Sequence, residues 1–210
     1  MDQKTKPRLV LITPEITDAE AFAPTLALAC ETADVAAVIV RLAPANDAEQ
    51  FVRIEMLAGA VHGIDAALLL DGCAHLVAQA GADGTFVSGD AIAAARSSVK
   101  NDHVVGAGRL ETRHDAMTAA EGGADFVLFG DKTAEGKRPM MPSLIERVTW
   151  WAEVFVIPCV AYAAHVDEID PLVRAGADFV ALGEEAVWSA TDLTASLEAA
   201  NQRLTIAEHA

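Results

Sequence analysis

The chain has 210 residues, of which 52% are hydrophobic and only 5% aromatic, so its core is built from Ala, Val, Leu and Ile. Asp and Glu number 31 against 15 Lys and Arg, a formal net charge of −16, which speaks against nucleic acid and anionic membrane surfaces as partners. Three scattered cysteines, Cys30, Cys73 and Cys159, are no disulfide framework and show no zinc-ligand spacing.

The elements read in order as strand and helix by turns. A first strand at Leu9–Ile12 closes on Thr13-Pro14, and an Ala-rich helix follows over 18–33, capped by Thr17 or Asp18. The second strand, 35–40, ends at Arg41, and Asp47 opens a helix to about Val61. A third strand, 66–70, ends at Asp71-Gly72, and a short helix reaches Ala80. The fourth, 85–87, ends at Ser88-Gly89-Asp90 and a helix over 90–97. The fifth, 103–105, runs into Gly106-Ala107-Gly108-Arg109 and a helix over 111–121.

The sixth strand, Phe126–Phe129, is a continuous apolar run that empties into Gly130, Asp131 and Lys132. Pro142 starts the next helix, which carries Trp150 and Trp151. One Trp is expected to face the barrel and the other a neighbour, which offers a homodimer patch. The seventh strand is expected from Val154 through Val160, ending at Ala161–Ala164. A helix over 167–174 precedes the eighth, Phe179–Leu182, and a last helix spans about 185–206. Eight such units predict one (β/α)8 TIM barrel, α/β in class, over residues 1–210, with a doubly wound sheet as the alternative. The phrase Gly-Ala-Asp opens strands four, six and eight, at Asp83, Asp125 and Asp178. There it belongs to the bottom face, with Asp bonding its own turn.

No run reaches transmembrane length and the start has no long apolar segment, so a soluble cytoplasmic protein is expected. In a barrel, chemistry gathers beyond the carboxyl ends of the strands. Arg41 is the leading candidate there: it either clamps an anion or pairs with Asp71. Asp71 is either a Mg²⁺ ligand or a turn residue, and Asp90 either a ligand or, by preference, a helix cap. Asp131 is either a general base or an ordinary loop carboxylate beside Lys132. Lys137, with Arg138, sits in a Gly-containing loop that could close as a lid over an anion. Phosphate binding by the seventh and eighth strands needs backbone N–H groups free to approach oxygen. Ala163 and Ala164 carry Cβ atoms there, and Gly183 is followed by two carboxylates, Glu184 and Glu185, on the expected helix N-terminus.

In their order these residues resemble the thiamine-phosphate synthase superfamily, which includes the thiazole tautomerases. The resemblance runs from Leu9-Val10-Leu11-Ile12-Thr13 to Ala175-Gly176-Ala177-Asp178, and is closest over Gly123–Gly130 with Lys137. It implies a synthase of thiamine biosynthesis that joins two small molecules, a pyrimidine pyrophosphate and a thiazole phosphate, releasing pyrophosphate with Mg²⁺. It places the family's strand-two Arg on Arg41, its metal carboxylates on Asp71 and Asp90, and its loop Lys on Lys137. It puts substrate against Gly106, Gly108, Ala163, Ala164 and Gly183. The family's flanking Gln and Lys fall on Ile39 and Ala43, its strand-five Ser on Gly108, and its Gly-rich strand-seven turn on Ala161–Ala164. The tautomerase His falls on Asp131. Two alternatives follow from these departures: a divergent member that binds a less anionic molecule or acts as a scaffold, and a tautomerase-like proton transfer with Asp131 as base.

Overall fold

A computed structural model describes residues 6–133 and 136–207. Eight strands, β1 (Arg8–Ile16), β2 (Val35–Leu42), β3 (Ala67–Asp71), β4 (Gly84–Ser88), β5 (Val104–Gly108), β6 (Phe126–Phe129), β7 (Cys159–Ala163) and β8 (Phe179–Leu182), follow one another round a closed barrel. Every neighbouring pair is parallel, and β8 closes on β1. The helices between them are α1 (Ala19–Thr32), α2 (Asp47–Val61), α3 (Val77–Ala80), α4 (Ile92–Ser98), α5 (Arg113–Glu121), α6 (Met141–Val154), α7 (Ile169–Arg174) and α8 (Leu193–Ala207). This is the expected (β/α)8 barrel; among the described residues no helix is long and apolar enough to cross a membrane.

The apolar residues divide as strand alternation requires. Val10, Ile12, Ile39, Leu69, Phe86 and Leu128 point into the barrel, while Leu9, Leu11, Val38, Leu68, Val127 and Val180 pack outward among the helices. The inner layer is filled by large side chains, and β5 supplies the space for two of them. A Cβ on Gly106 would stand 2.0 Å from the Phe126 ring, and one on Gly108 2.0 Å from Phe86. The two rings stack with centroids 6.2 Å apart.

Each Gly-Ala-Asp turn fastens a pair of strands at the bottom of the barrel. Asp83 donates its N–H to Leu68 O at 2.9 Å and accepts Leu68 N–H on its carboxylate at 2.7 Å. Asp125 does the same to Val105, and Asp178 to Cys159. The carboxylate therefore bonds the neighbouring strand rather than its own turn. Gly81, Gly123 and Gly176 have φ of 67°, 96° and 105°, the left-handed conformation that lets the helix end and the Asp arrive in register.

Two stretches differ from expectation. Val154 to Ile157 are the end of α6 and a connector, and β7 begins only at Cys159. Buried Trp151 donates its indole N–H to Ile157 O at 2.7 Å and stacks on Phe155, holding the segment out of the sheet, and Val156 is 101% exposed. Trp151 is the inward-facing Trp; Trp150 lies half-buried against Phe155 and under Arg113. The last helix is also shorter than expected. Glu184–Trp188 form a wide π turn, and α8 starts at Leu193.

Candidate functional site at the barrel mouth

At the carboxyl ends of β2, β3 and β5, two arginines converge on one carboxylate. Arg41 is the penultimate residue of β2, its backbone N–H held by the buried Thr13 hydroxyl at 3.0 Å. Its Nε reaches Asp71 Oδ2 at 3.3 Å. Arg109 follows β5 directly, and its Nη2 lies 2.8 and 2.7 Å from the two oxygens of Asp71. The expected Arg41–Asp71 pair is present, and Arg109 holds the same carboxylate at closer range. Around them opens a cavity of about 510 Å³ bordered by Glu15, Arg41, Asp71, Arg109, Lys132 and Glu184.

Arg109 has φ of 56°, the one positive φ among the described non-glycine residues, where an L side chain is strained. Its N–H donates to Asp131 Oδ2 at 2.9 Å, and its guanidinium lies 5.7 Å from the centre of the Phe86 ring. Glycine at 108 is needed here as well, since a Cβ would stand 2.9 Å from the same Asp131 oxygen.

Asp131 and Lys132, neighbours in sequence, part company. Asp131 turns inward and is 6% exposed. Burial pushes its carboxyl up to about 6, against the opposing pull of the Arg109 N–H and the Arg109 and Arg41 charges. Lys132 instead pairs with Glu185 from the π turn, which also accepts the Tyr162 hydroxyl at 2.6 Å. Burial disfavours the charged form of Glu185, but the bonds from Lys132 and Tyr162 outweigh it and hold the carboxyl down at about 2. A Cβ on Gly183 would stand 2.7 Å from the Tyr162 hydroxyl, so this glycine makes room for the same link.

The β7 turn is occupied from within. Ala163 and Ala164 are buried. The Ala164 N–H, the kind of group a phosphate would use, donates to Glu168 Oε2 at 2.8 Å. Arg138 clasps both Glu168 oxygens at 3.0 and 2.7 Å and also donates to the Tyr162 and Gly130 carbonyls. Glu168 has no counterpart in the sequence reading; it begins no motif, and only the fold brings it under the turn.

The sequence candidates thus spread over three cavities, all bordered by Arg109. Arg41 and Asp71 share the mouth. Asp131 and Lys137 line a second cavity of about 220 Å³ with Arg138 and Arg147. Asp90 lines a third, of about 350 Å³, where it accepts the Ser88 hydroxyl at 2.5 Å in a short 3-10 turn and caps no helix. Gly106 and Gly108 sit below the mouth with their open sides filled by rings. Of the candidate lid at Glu135-Gly136-Lys137-Arg138, Glu135 lies outside the described residues, as does the preceding Ala134.

The match to known proteins agrees with the barrel. Residues 9–186 match the model of the family TMP-TENI, described as thiamine monophosphate synthase. A thiamine-phosphate synthase of Rhodospirillum centenum is 42% identical over 179 residues, 83% of this chain and 86% of the relative. One from Hyphomonas neptunium is 33% identical over 201 residues, covering 90% and 89%. Among solved structures, thiamine phosphate pyrophosphorylase from Pyrococcus furiosus superposes with a TM-score of 0.81 over 97% of this chain and 98% of its own, at 20% identity. That last likeness carries the fold alone.

Proposed function

The chain belongs to the thiamine monophosphate synthase family, and we propose that it joins a pyrimidine pyrophosphate to a thiazole phosphate with release of pyrophosphate. Family membership and the relatives' shared name support a synthase function in thiamine biosynthesis. The observation that carries the chemistry is the convergence of Arg41 and Arg109 on the wall of the mouth. A guanidinium presents paired N–H groups that match phosphate oxygens. As the new bond to the pyrimidine forms, the departing pyrophosphate gathers negative charge. Fixed cations placed beside it lower that barrier more than they favour the ground state.

The family resemblance implies Mg²⁺ on Asp71 and Asp90. The residues present do not make a ready cradle for it. Both Asp71 oxygens are engaged by guanidinium, Asp90 opens on a different cavity, and among the described residues no three His, Cys, Asp or Glu side chains gather. Charge neutralisation at this site is therefore assigned to side chains. The β7 turn, with Glu168 already on the Ala164 N–H, argues that the thiazole phosphate is held elsewhere. Lys137 beside the second cavity is the cation we assign to it, since Arg138 and Arg147 there already spend their donors on Glu168 and on backbone carbonyls.

The test is direct. The purified chain given both substrates is expected to release pyrophosphate. Arg41→Ala is expected to lower kcat/KM by about ten- to hundredfold, the equivalent of one lost charge-assisted hydrogen bond. Absence of pyrophosphate release, with either substrate varied, refutes the assignment.

One observation favours a second reading. Asp131 is buried, raised to about 6 and beside a cavity, conditions that suit a general base near neutral pH. A tautomerase-like proton transfer predicts activity on a thiazole phosphate alone that Asp131→Asn abolishes; equal turnover in that variant removes it.

A further inference from the structure

Arg109 borders all three cavities. Its Nη2 bridges the two oxygens of Asp71, and Arg41 adds a second positive charge to the same carboxylate. These three groups alone carry one net positive charge, while Glu15 and Glu184 on the rim of the mouth offset it and that of Lys132. Among the described residues, Arg109 Nε and Nη1 and both Nη atoms of Arg41 make no hydrogen bond, and the two side chains are 33% and 39% exposed at the mouth. The strained backbone of Arg109 is held by Asp131 below and the grip on Asp71 ahead. Strain of this kind persists only where the surroundings over-determine it.

We infer that Arg109 is the resident cation of this site: its guanidinium occupies the place on Asp71 that a divalent metal would take, and binds pyrophosphate directly together with Arg41. This rests on the synthase reading above. A Mg²⁺ ion needs a carboxylate oxygen at about 2.0–2.1 Å and room for several waters. Here a guanidinium nitrogen already sits in hydrogen-bond contact with both oxygens, and a dication would also have to approach two positive groups. Asp71 is then a positioning residue. It neutralises one charge and fixes both guanidiniums, so that their remaining N–H groups face the cavity.

Inorganic pyrophosphate titrated calorimetrically into the full chain tests this, first in excess EDTA and then with added Mg²⁺. Binding in EDTA is expected, strengthened less than threefold by Mg²⁺ and weakened about ten- to hundredfold in Arg109→Gly. Glycine suits the positive φ, so this variant removes the cation without adding strain; Arg109→Lys is expected to restore part of the affinity. Asp71→Asn, which loses the charge that fixes both guanidiniums, is expected to change the affinity in EDTA without making binding depend on Mg²⁺. Pyrophosphate binding that appears only with Mg²⁺ and is lost in Asp71→Asn overturns the inference while leaving the synthase reading intact. No binding with or without Mg²⁺, and no turnover, overturns both.

Discussion

Asp131 sits where a carboxylate is least at home, sealed under Arg109 and against the barrel layer. Its folded pKa of about 6 lies above the ordinary 3.8. The folded state therefore holds the proton over that interval while the unfolded chain has released it. Stability falls as pH rises from about 4 through 6, and at pH 7 ionised Asp131 costs up to about 3 kcal/mol. Asp131→Asn keeps an acceptor for the Arg109 N–H and carries no charge. It is expected to raise Tm at pH 7.5, and the gain is expected to shrink as pH falls through 6 toward 4; thermal melts across that range read it. The neighbouring Gly108 makes a second case. Serine, which the resemblance implies there, would drive its Cβ into the Phe86 ring. Gly108→Ser is expected to cost about 1–3 kcal/mol in urea denaturation and to restore nothing. The position of Asp131 was legible in the sequence because an apolar run ends just before it. Its burial was not, since that depends on Arg109 and Phe86, 22 and 45 residues away.

The Gly-Ala-Asp turns show how an element can be read correctly for an incomplete reason. Their repetition located the bottom of the barrel, yet the bond each Asp makes crosses to another strand, which no local pattern displays. Asp83→Ala is expected to lose about 1–3 kcal/mol, because it strands the Leu68 N–H, while Asp83→Asn retains most of the stability. Val154 to Ile157 are as apolar as a strand, but the indole of Trp151 claims Ile157 O and keeps them out of β7. At the other end of β7, Glu168 acts as the anion on Ala164 and Arg138. Burial opposes its ionisation, but the Arg138 and Ala164 bonds hold its carboxyl below the usual range. Glu168→Gln leaves Arg138 without its charge partner. The variant is expected to melt lower by a few degrees, about 1 kcal/mol, and to bind inorganic phosphate more tightly than the parent.

At the scale of the whole molecule two fields oppose one another. The net charge of −16 repels a polyanion at long range, while Arg41 and Arg109 attract it once it enters the mouth. Salt separates them by distance, since the Debye length shrinks from about 30 Å at 0.01 M to about 10 Å at 0.1 M. The surface carboxylates are spread over the whole barrel and are screened first. The two guanidiniums act over a few ångströms and are screened last. Pyrophosphate association is therefore expected to speed up as salt rises from about 0.01 to 0.1 M, and the affinity to fall only at higher salt. Stopped-flow binding over a salt series measures both arms. A rate that falls monotonically from the lowest salt would mean that the mouth's cations dominate the far field. That result would contradict the reading of the acidic surface as a general barrier with one local opening.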